Sequence, residues 1–188
     1  MTTTLVEKIG ALADAFTVAA VPHAFGGALA LAYATEEPRG TRDIDVNVFV
    51  ESAQVDAVFA ALPTEVRRTS ADVDTVRRDE QVRLFWDDTP VDLFFSAGQA
   101  HHVAASRTRT VDFSGRRIAV LAPEDLTVFK MLFDRSKDWV DIEAMLESGT
   151  VDVEAAIASV TPLLGDDDRI ERLRHLAARL SGQDTGSS

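Results

Sequence analysis

The chain has 188 residues, 46% of them apolar, no cysteine and a formal net charge of −12. That length and apolar content suit one domain with a substantial core and a helical appendage, while the lack of cysteine excludes disulfides and thiolate metal sites and fits a cytoplasmic protein. Around Glu7 and Lys8 there is no cationic region leading into an apolar run, no segment approaches the ~20 apolar residues of a membrane span, and the acidity opposes broad electrostatic capture of nucleic acid.

Leu5, Ile9, Leu12, Ala13, Phe16 and Ala20 recur at helical spacing, and Pro22 closes this first helix. His23 to Phe25 reads as a short strand entering a Gly26-Gly27 turn, with helix formers from Ala28 to Ala34. A loop carrying Pro38 and Gly40 leads to a strand over Asp43–Val50 and a helix over Ala53–Leu62. Gln81–Trp86 and Pro90–Phe95 flank Asp87-Asp88-Thr89 as one hairpin, and Arg109–Phe113 and Arg116–Leu121 flank Ser114-Gly115 as another.

Pro123 fits the first turn of a helix, with Glu124 and Asp125 favourable against its dipole and Leu126, Phe129, Leu132 and Phe133 expected on its buried face. Ser136 is the expected N-cap of the next helix, which runs to about Leu146 before Gly149. Two further helices are expected over Asp152–Val160 and Asp167–Leu180, followed by a polar tail. His101-His102 reads as a pair of loop histidines, because adjacent side chains diverge and serve one metal ion poorly.

Three carboxylates stand out against this background. Asp43 and Asp45 project from one side of an otherwise apolar strand, and Asp92 sits between Val91 and Leu93 on another. Leaving such acids unpaired is costly, and a divalent cation is the common partner. Three carboxylates converging from two strands can hold two Mg²⁺ ions, roughly 3.5–4 Å apart. The competing structural reading is that Asp43 caps its strand and Asp92 pairs with an arginine. The Gly26-Gly27 turn places backbone amides at a helix N-terminus, where phosphate is favoured and the missing side chains allow close approach. Arginines cluster at 67, 68, 77, 78 and 83 and again at 107, 109, 116 and 117, the bland reading being solvated strand and loop faces.

The order of these motifs resembles the nucleotidyltransferase superfamily: Gly-Gly, a helix, Asp-x-Asp and one later acid. The branch it is most similar to is that of the AbiEii and MenT-like toxins. Arg39-Gly40-Thr41-Arg42-Asp43-Ile44-Asp45 matches their acidic strand, and Pro123-Glu124-Asp125-Leu126, Lys130 and Lys137-Asp138-Trp139-Val140-Asp141 match their helical motifs. Ala28 departs from the threonine of many relatives, removing one hydroxyl from the phosphate side.

The resemblance implies an α/β (α+β) fold, a minimal polymerase-beta-like mixed sheet with flanking helices and a helical C-terminal region. The expected layout is a core with its N-terminal helix over 1–121, a helical region over 122–181 packing on that core, and a disordered tail over 182–188. It also implies transfer of a nucleoside monophosphate from an NTP, with CTP or UTP the expected donor, to the 3′ end of tRNA. Such a protein would be a translation-blocking toxin restrained by a cognate antitoxin protein. Asp43, Asp45 and Asp92 would hold Mg²⁺, with Mn²⁺ as a substitute, and Asp92 would activate the attacking hydroxyl. Gly26, Gly27, Thr41 and Arg42 would face the nucleotide, as would Arg39. Lys130 and Lys137 are rivals for the triphosphate, with Asp138 and Asp141 orienting a lysine or the nucleotide. The alternatives are a small-molecule nucleotidyltransferase of the aminoglycoside type, a transferase acting on protein Ser or Tyr, and an inactive nucleotide-binding module.

Overall fold

The computed structural model describes residues 3–38, 40–96 and 98–183, so Arg39 and the end of the expected tail lie outside the described residues. The chain divides into two compact units, Met1–Leu29 with Gly40–Leu121, and Ala30–Arg39 with Ala122–Ser188.

The first unit is built on a seven-stranded mixed sheet. Its strands are β1 (His23–Phe25), β2 (Ile44–Val48), β3 (Val66–Arg67), β4 (Gln81–Trp86), β5 (Thr89–Phe95), β6 (Arg109–Phe113) and β7 (Arg116–Val120), in spatial order β3-β4-β5-β2-β1-β7-β6. Strand β2 runs parallel to β5 and antiparallel to β1, which in turn is parallel to β7. Alternation decides what each strand buries. Ile44, Val46 and Val48 on β2, Val91, Leu93 and Phe95 on β5, and Val82, Leu84 and Trp86 on β4 are all buried. Asp45, Asp92 and Arg83 occupy the intervening positions.

Helix α1 (Leu5–Val18) starts at a Thr4–Glu7 capping box and buries Ile9, Leu12, Ala13 and Phe16 along one stripe. Its Lys8 is also buried. Its ammonium donates to the Trp86 carbonyl at 2.9 Å and to Thr89 Oγ1 at 3.1 Å, and lies 3.3 Å from the Asp87 carboxylate. A lysine inside the protein is thus spent on fixing the turn between β4 and β5.

That turn is tighter than expected. Asp87 and Asp88 alone form it, and Thr89 pairs with Trp86. Strand β2 begins at Ile44, so Asp43 lies just before it, and the expected helix after β2 divides into a 3-10 turn at Ser52–Gln54 and α3 (Val55–Ala61). Three elements carry no clear sequence pattern: β3, α4 (Ser70–Asp79) and α5 (Gln99–Arg107). Helix α4 buries only Val76, so no apolar stripe betrays it; a Thr69–Asp72 capping box starts it and Glu80 ends it at φ 56°. His101 and His102 lie on α5 and not in a loop, because the small residues Ala100 and Ala104 seat that helix.

Helix α2 (Gly27–Thr35) crosses the boundary between the units. The second unit continues with α6 (Pro123–Phe133), α7 (Ser136–Glu147), α8 (Val153–Leu164) and α9 (Asp168–Gln183). Helix α6 is central, packing on α7 and α8. Its buried face differs from the expectation. Leu126 is buried together with Asp125, Thr127, Val128, Lys130 and Met131, whereas Leu132 and Phe133 are exposed. The helix is surrounded on more than one side, so the three- and four-residue apolar spacing misreads its orientation. Arg135 is the N-cap of α7 and Ser136 its first residue, because the Asp138 carboxylate accepts from the Arg135 backbone N–H and forestalls capping by serine. Arg172 stacks over the Trp139 ring, with the guanidinium carbon 4.0 Å from its centroid.

Candidate active site

The parallel register of β2 and β5 sets Asp45 directly beside Asp92, and the antiparallel register of β4 and β5 sets Arg83 beside Asp92 on the other side. Register partners project from the same face, and neighbouring strands lie about 4.8 Å apart. A row Asp45–Asp92–Arg83 therefore crosses three adjacent strands. Asp43, two residues before Asp45, adds a third acid at the end of the row.

Arg83 grips Asp92 with both arms of its guanidinium: Nε donates to Oδ1 at 2.7 Å and Nη2 to Oδ2 at 2.6 Å. The carboxylate is 13% exposed and the guanidinium side chain 56%. The Asp92 hydrogen bonds and charge hold the Arg83 guanidinium more firmly protonated than usual, and the charges of Asp43 and Asp45 add to that. Among the described residues, the bonds of Arg83 go to Asp92 alone. Sequence reading placed Arg83 in a solvated cluster, although a two-residue turn at Asp87-Asp88 counts back to an 83–92 pair.

The glycine turn meets the same row. The Gly26 backbone N–H donates to the Asp45 carbonyl at 2.9 Å, extending the β1–β2 ladder by one step. Gly27 has φ +49°, and a Cβ there would fall 1.8 Å from Asp45 Oδ2. The Asp45 carboxylate fills the space that any other residue at 27 would need. A Cβ at Gly26 would meet the Asn47 amide nitrogen at 2.9 Å. Buried Asn47 is a second polar residue on this face that sequence reading passed over, its signal being its place two residues after Asp45.

Thr41 closes the other end. Its hydroxyl donates to Asp43 Oδ1 at 2.5 Å, and the Asp43 backbone N–H donates to Thr41 Oγ1 at 3.3 Å. Arg42 is exposed between them.

The helical-motif residues all belong to the second unit. Lys130 is buried, with its ammonium 2.6 Å from Asp141 Oδ2 and 3.6 Å from Asp138 Oδ1. Asp138, fully buried, is also held by Arg135 through its backbone N–H and guanidinium. Burial opposes ionisation of Asp138, but the bonds from Arg135 and the charge of Lys130 outweigh it and bring its pKa below the usual carboxylate range. The i, i+3 acids of α7 therefore orient a lysine. Lys137 is exposed in the first turn of α7.

Among the described residues, no group of three or more His, Cys, Asp or Glu side chains is arranged to hold a metal ion. Asp92 is engaged by Arg83 and Asp43 by Thr41. The chemistry of the donor set nonetheless suits a hard divalent cation, since every ligand is a carboxylate oxygen. The guanidinium seated on Asp92 shows that this row accommodates positive charge.

No family model matches the chain, and no curated protein matches it. Solved structures do. The chain is similar to the solution structure of the antibiotic-resistance factor ANT(2'')-Ia, with a TM-score of 0.63 and 15% identity, over 93% of this chain and 99% of that one. It is similar also to the crystal structure of ANT(2'')-Ia in complex with adenylyl-2''-tobramycin, with a TM-score of 0.52 and 15% identity over 96% and 99% of the two chains. The fold is that of the nucleotidyltransferases. A nucleotidyltransferase-like antigenic protein from Paracoccidioides brasiliensis also matches, with a TM-score of 0.44 and 13% identity over 88% of this chain and 90% of that one. At such identities the shared property is the mixed sheet with its helices, as the motif order implies. No helix among the described residues is long and apolar enough to cross a membrane.

Proposed function

We propose that this chain is a divalent-cation-dependent nucleotidyltransferase, moving a nucleoside monophosphate from an NTP to an acceptor hydroxyl. The observation that carries the reading is the in-register Asp45–Asp92 pair, with Asp45 lodged against the Gly26-Gly27 turn. Mg²⁺ or Mn²⁺ bound by Asp43, Asp45 and Asp92 would stabilise the negative charge that develops around the α-phosphorus.

The chain's own groups divide the remaining work. Backbone at the Gly26-Gly27 turn, at the head of α2, faces the phosphates, and the missing side chain of Gly27 makes room for the Asp45 carboxylate beside it. Thr41 holds the Asp43 carboxylate in one orientation. Asp92 takes the proton of the acceptor hydroxyl as its oxygen bonds to the α-phosphorus and the bond to pyrophosphate breaks. For that step Arg83 must first release a carboxylate oxygen. Of the two lysines for which the family resemblance implies a triphosphate role, Lys130 is committed to Asp141 and Asp138 and Lys137 is exposed.

The motif resemblance to AbiEii and MenT-like toxins supports the tRNA 3′ end as acceptor, a pyrimidine nucleotide as donor, and restraint by an antitoxin protein. The test is incubation of the protein with labelled NTPs, Mg²⁺ and total RNA. Label on the 3′ end of tRNA, lost with Asp45→Asn, is the expected result. Intact protein that labels no RNA overturns the tRNA assignment.

The net charge of −12 favours a second reading, in which the acceptor is a small polycation of the aminoglycoside type. Resistance on expression, in place of growth arrest, would select it.

A further inference from the structure

Arg83 is the one feature of the acidic row that nucleotidyl transfer does not require as drawn. It is not a passive surface arginine. Both of its bonds end on a carboxylate that is 13% exposed, it is the register partner of that residue, and it also feels the charges of Asp43 and Asp45. Asp45 and Asp92 are like charges side by side on adjacent strands, a destabilising pair that the countercharge of Arg83 relieves.

We infer that Arg83 is an exchangeable counter-ion: it holds Asp92 in place without metal, and a divalent cation must displace it to reach the Asp92 oxygens. This rests on the nucleotidyltransferase reading of the same site. Asp92 has two carboxylate oxygens and each already accepts a guanidinium N–H. A cation drawing on Asp92 together with Asp45 competes for the same lone pairs and repels the guanidinium. The swap is easy on Arg83's side, because its side chain is 56% exposed and gains water as it leaves. Asp92 remains where the β4–β5 register put it.

Arg83 also sits at the outer end of the row, and its departure places a mobile positive charge beside whatever anion accompanies the incoming cation. Arg83 is then a positioning residue in the empty site and a phosphate partner in the filled one. The guanidinium and the cation never share Asp92.

The experiment uses the full chain and two readouts besides activity. Mn²⁺ binding is measured by calorimetry or electron paramagnetic resonance for the wild type, Arg83→Gln, Arg83→Lys and the control Arg78→Gln, which removes the same charge from an exposed pair with Asp79. In parallel, the Arg83 Nε–H resonance is followed through a Mg²⁺ titration. Arg83→Gln is expected to tighten Mn²⁺ binding about tenfold, the scale of one unit charge roughly 4 Å away at a dielectric close to that of water, as suits an exposed guanidinium. Arg83→Lys should fall between it and the wild type, Arg78→Gln should leave affinity within about twofold, and Asp92→Asn should erase the effect of Arg83→Gln. The Arg83 resonance should lose its hydrogen-bonded shift at saturating Mg²⁺.

Metal binding with an unchanged Arg83 resonance, or equal effects of the Arg83 and Arg78 variants, overturns the exchange and leaves the transferase reading standing. Failure of both wild type and Arg83→Gln to bind Mn²⁺, with or without NTP, overturns the two together.

Discussion

Asp45 Oδ2 lies where the first side-chain atom of any residue but glycine at position 27 would have to sit, 1.8 Å from that ideal Cβ. The acid lies on β2 and the glycine opens α2 just after β1, and they are brought together because β1 and β2 are antiparallel neighbours. Two costs meet at this point. The φ of +49° disfavours an L side chain by about 1–2 kcal/mol, and forcing an extra methyl into filled space adds about 1–3 kcal/mol. Gly27→Ala should therefore destabilise the protein by both amounts and turn the Asp45 carboxylate away, removing activity. In an Asp45→Ala background the same change should cost only the conformational share. Urea unfolding of the four proteins in the cycle measures the difference, and equal costs in both backgrounds would show that Asp45 does not occupy that space.

The acidic row should trade stability for function. Asp45→Asn removes one of three neighbouring like charges, so unfolding in metal-free buffer should show equal or higher stability than the wild type. Nucleotidyl transfer should fall by at least ~100-fold, the scale of losing one preorganised electrostatic group. Asp92→Asn should change stability by no more than about 1 kcal/mol, since the arginine it releases is largely solvated. A large loss of stability in either variant would mean that these acids are structural.

The two lysines of the helical motif should behave oppositely. Lys130→Met removes the cation that faces Asp141 and the fully buried Asp138 and should cost about 3 kcal/mol. Lys137→Ala, at an exposed position, should leave the melting temperature unchanged and stability within about 0.5 kcal/mol. If Lys137 contacts the triphosphate, the same variant should raise the KM for NTP. Unchanged kinetics would remove it from the site.

Acid should weaken the fold in two stages. Burial lowers the His23 pKa from its ordinary value of about 6.5, a shift that the hydrogen bond to the Val21 carbonyl only partly offsets. With its folded pKa below the unfolded one, His23 contributes stability that is present above pH ~6.5 and lost as pH falls through the folded value. Asp138 has the same sign, with its contribution present above the ordinary carboxylate pKa of about 4 and lost below it. His23→Gln keeps a donor without a titrating proton. Its stability should change less than that of the wild type between pH 7.5 and 5, measured by urea midpoints, and parallel profiles would contradict the assignment.

Much of the first unit is readable from residue order. Alternation identifies β2, β4 and β5 and the faces they bury, and turn residues mark both hairpins, with Ser114 and Gly115 at φ 48° and 79° as a two-residue turn demands. The acids and the glycines are also visible, because polar residues in apolar strands and paired glycines before a helix are costly unless used. The missed elements lack such a signal. Helix α4 has a single buried residue and β3 has two residues in all. On α6 the expected stripe fails because Lys130, Asp125 and Thr127 are buried among apolar neighbours.

Local chemistry along the chain determined which groups this protein would set apart: three aspartates, two glycines, a threonine and a helical lysine with its acids. Only the tertiary structure decided their partners. The one-residue shortening of the β4–β5 turn, pinned by Lys8, fixes the register that puts Arg83 on Asp92. Pairing across a sheet depends on register, and register is set by turn length and by contacts from elements far away in sequence, neither of which a residue carries in its own identity.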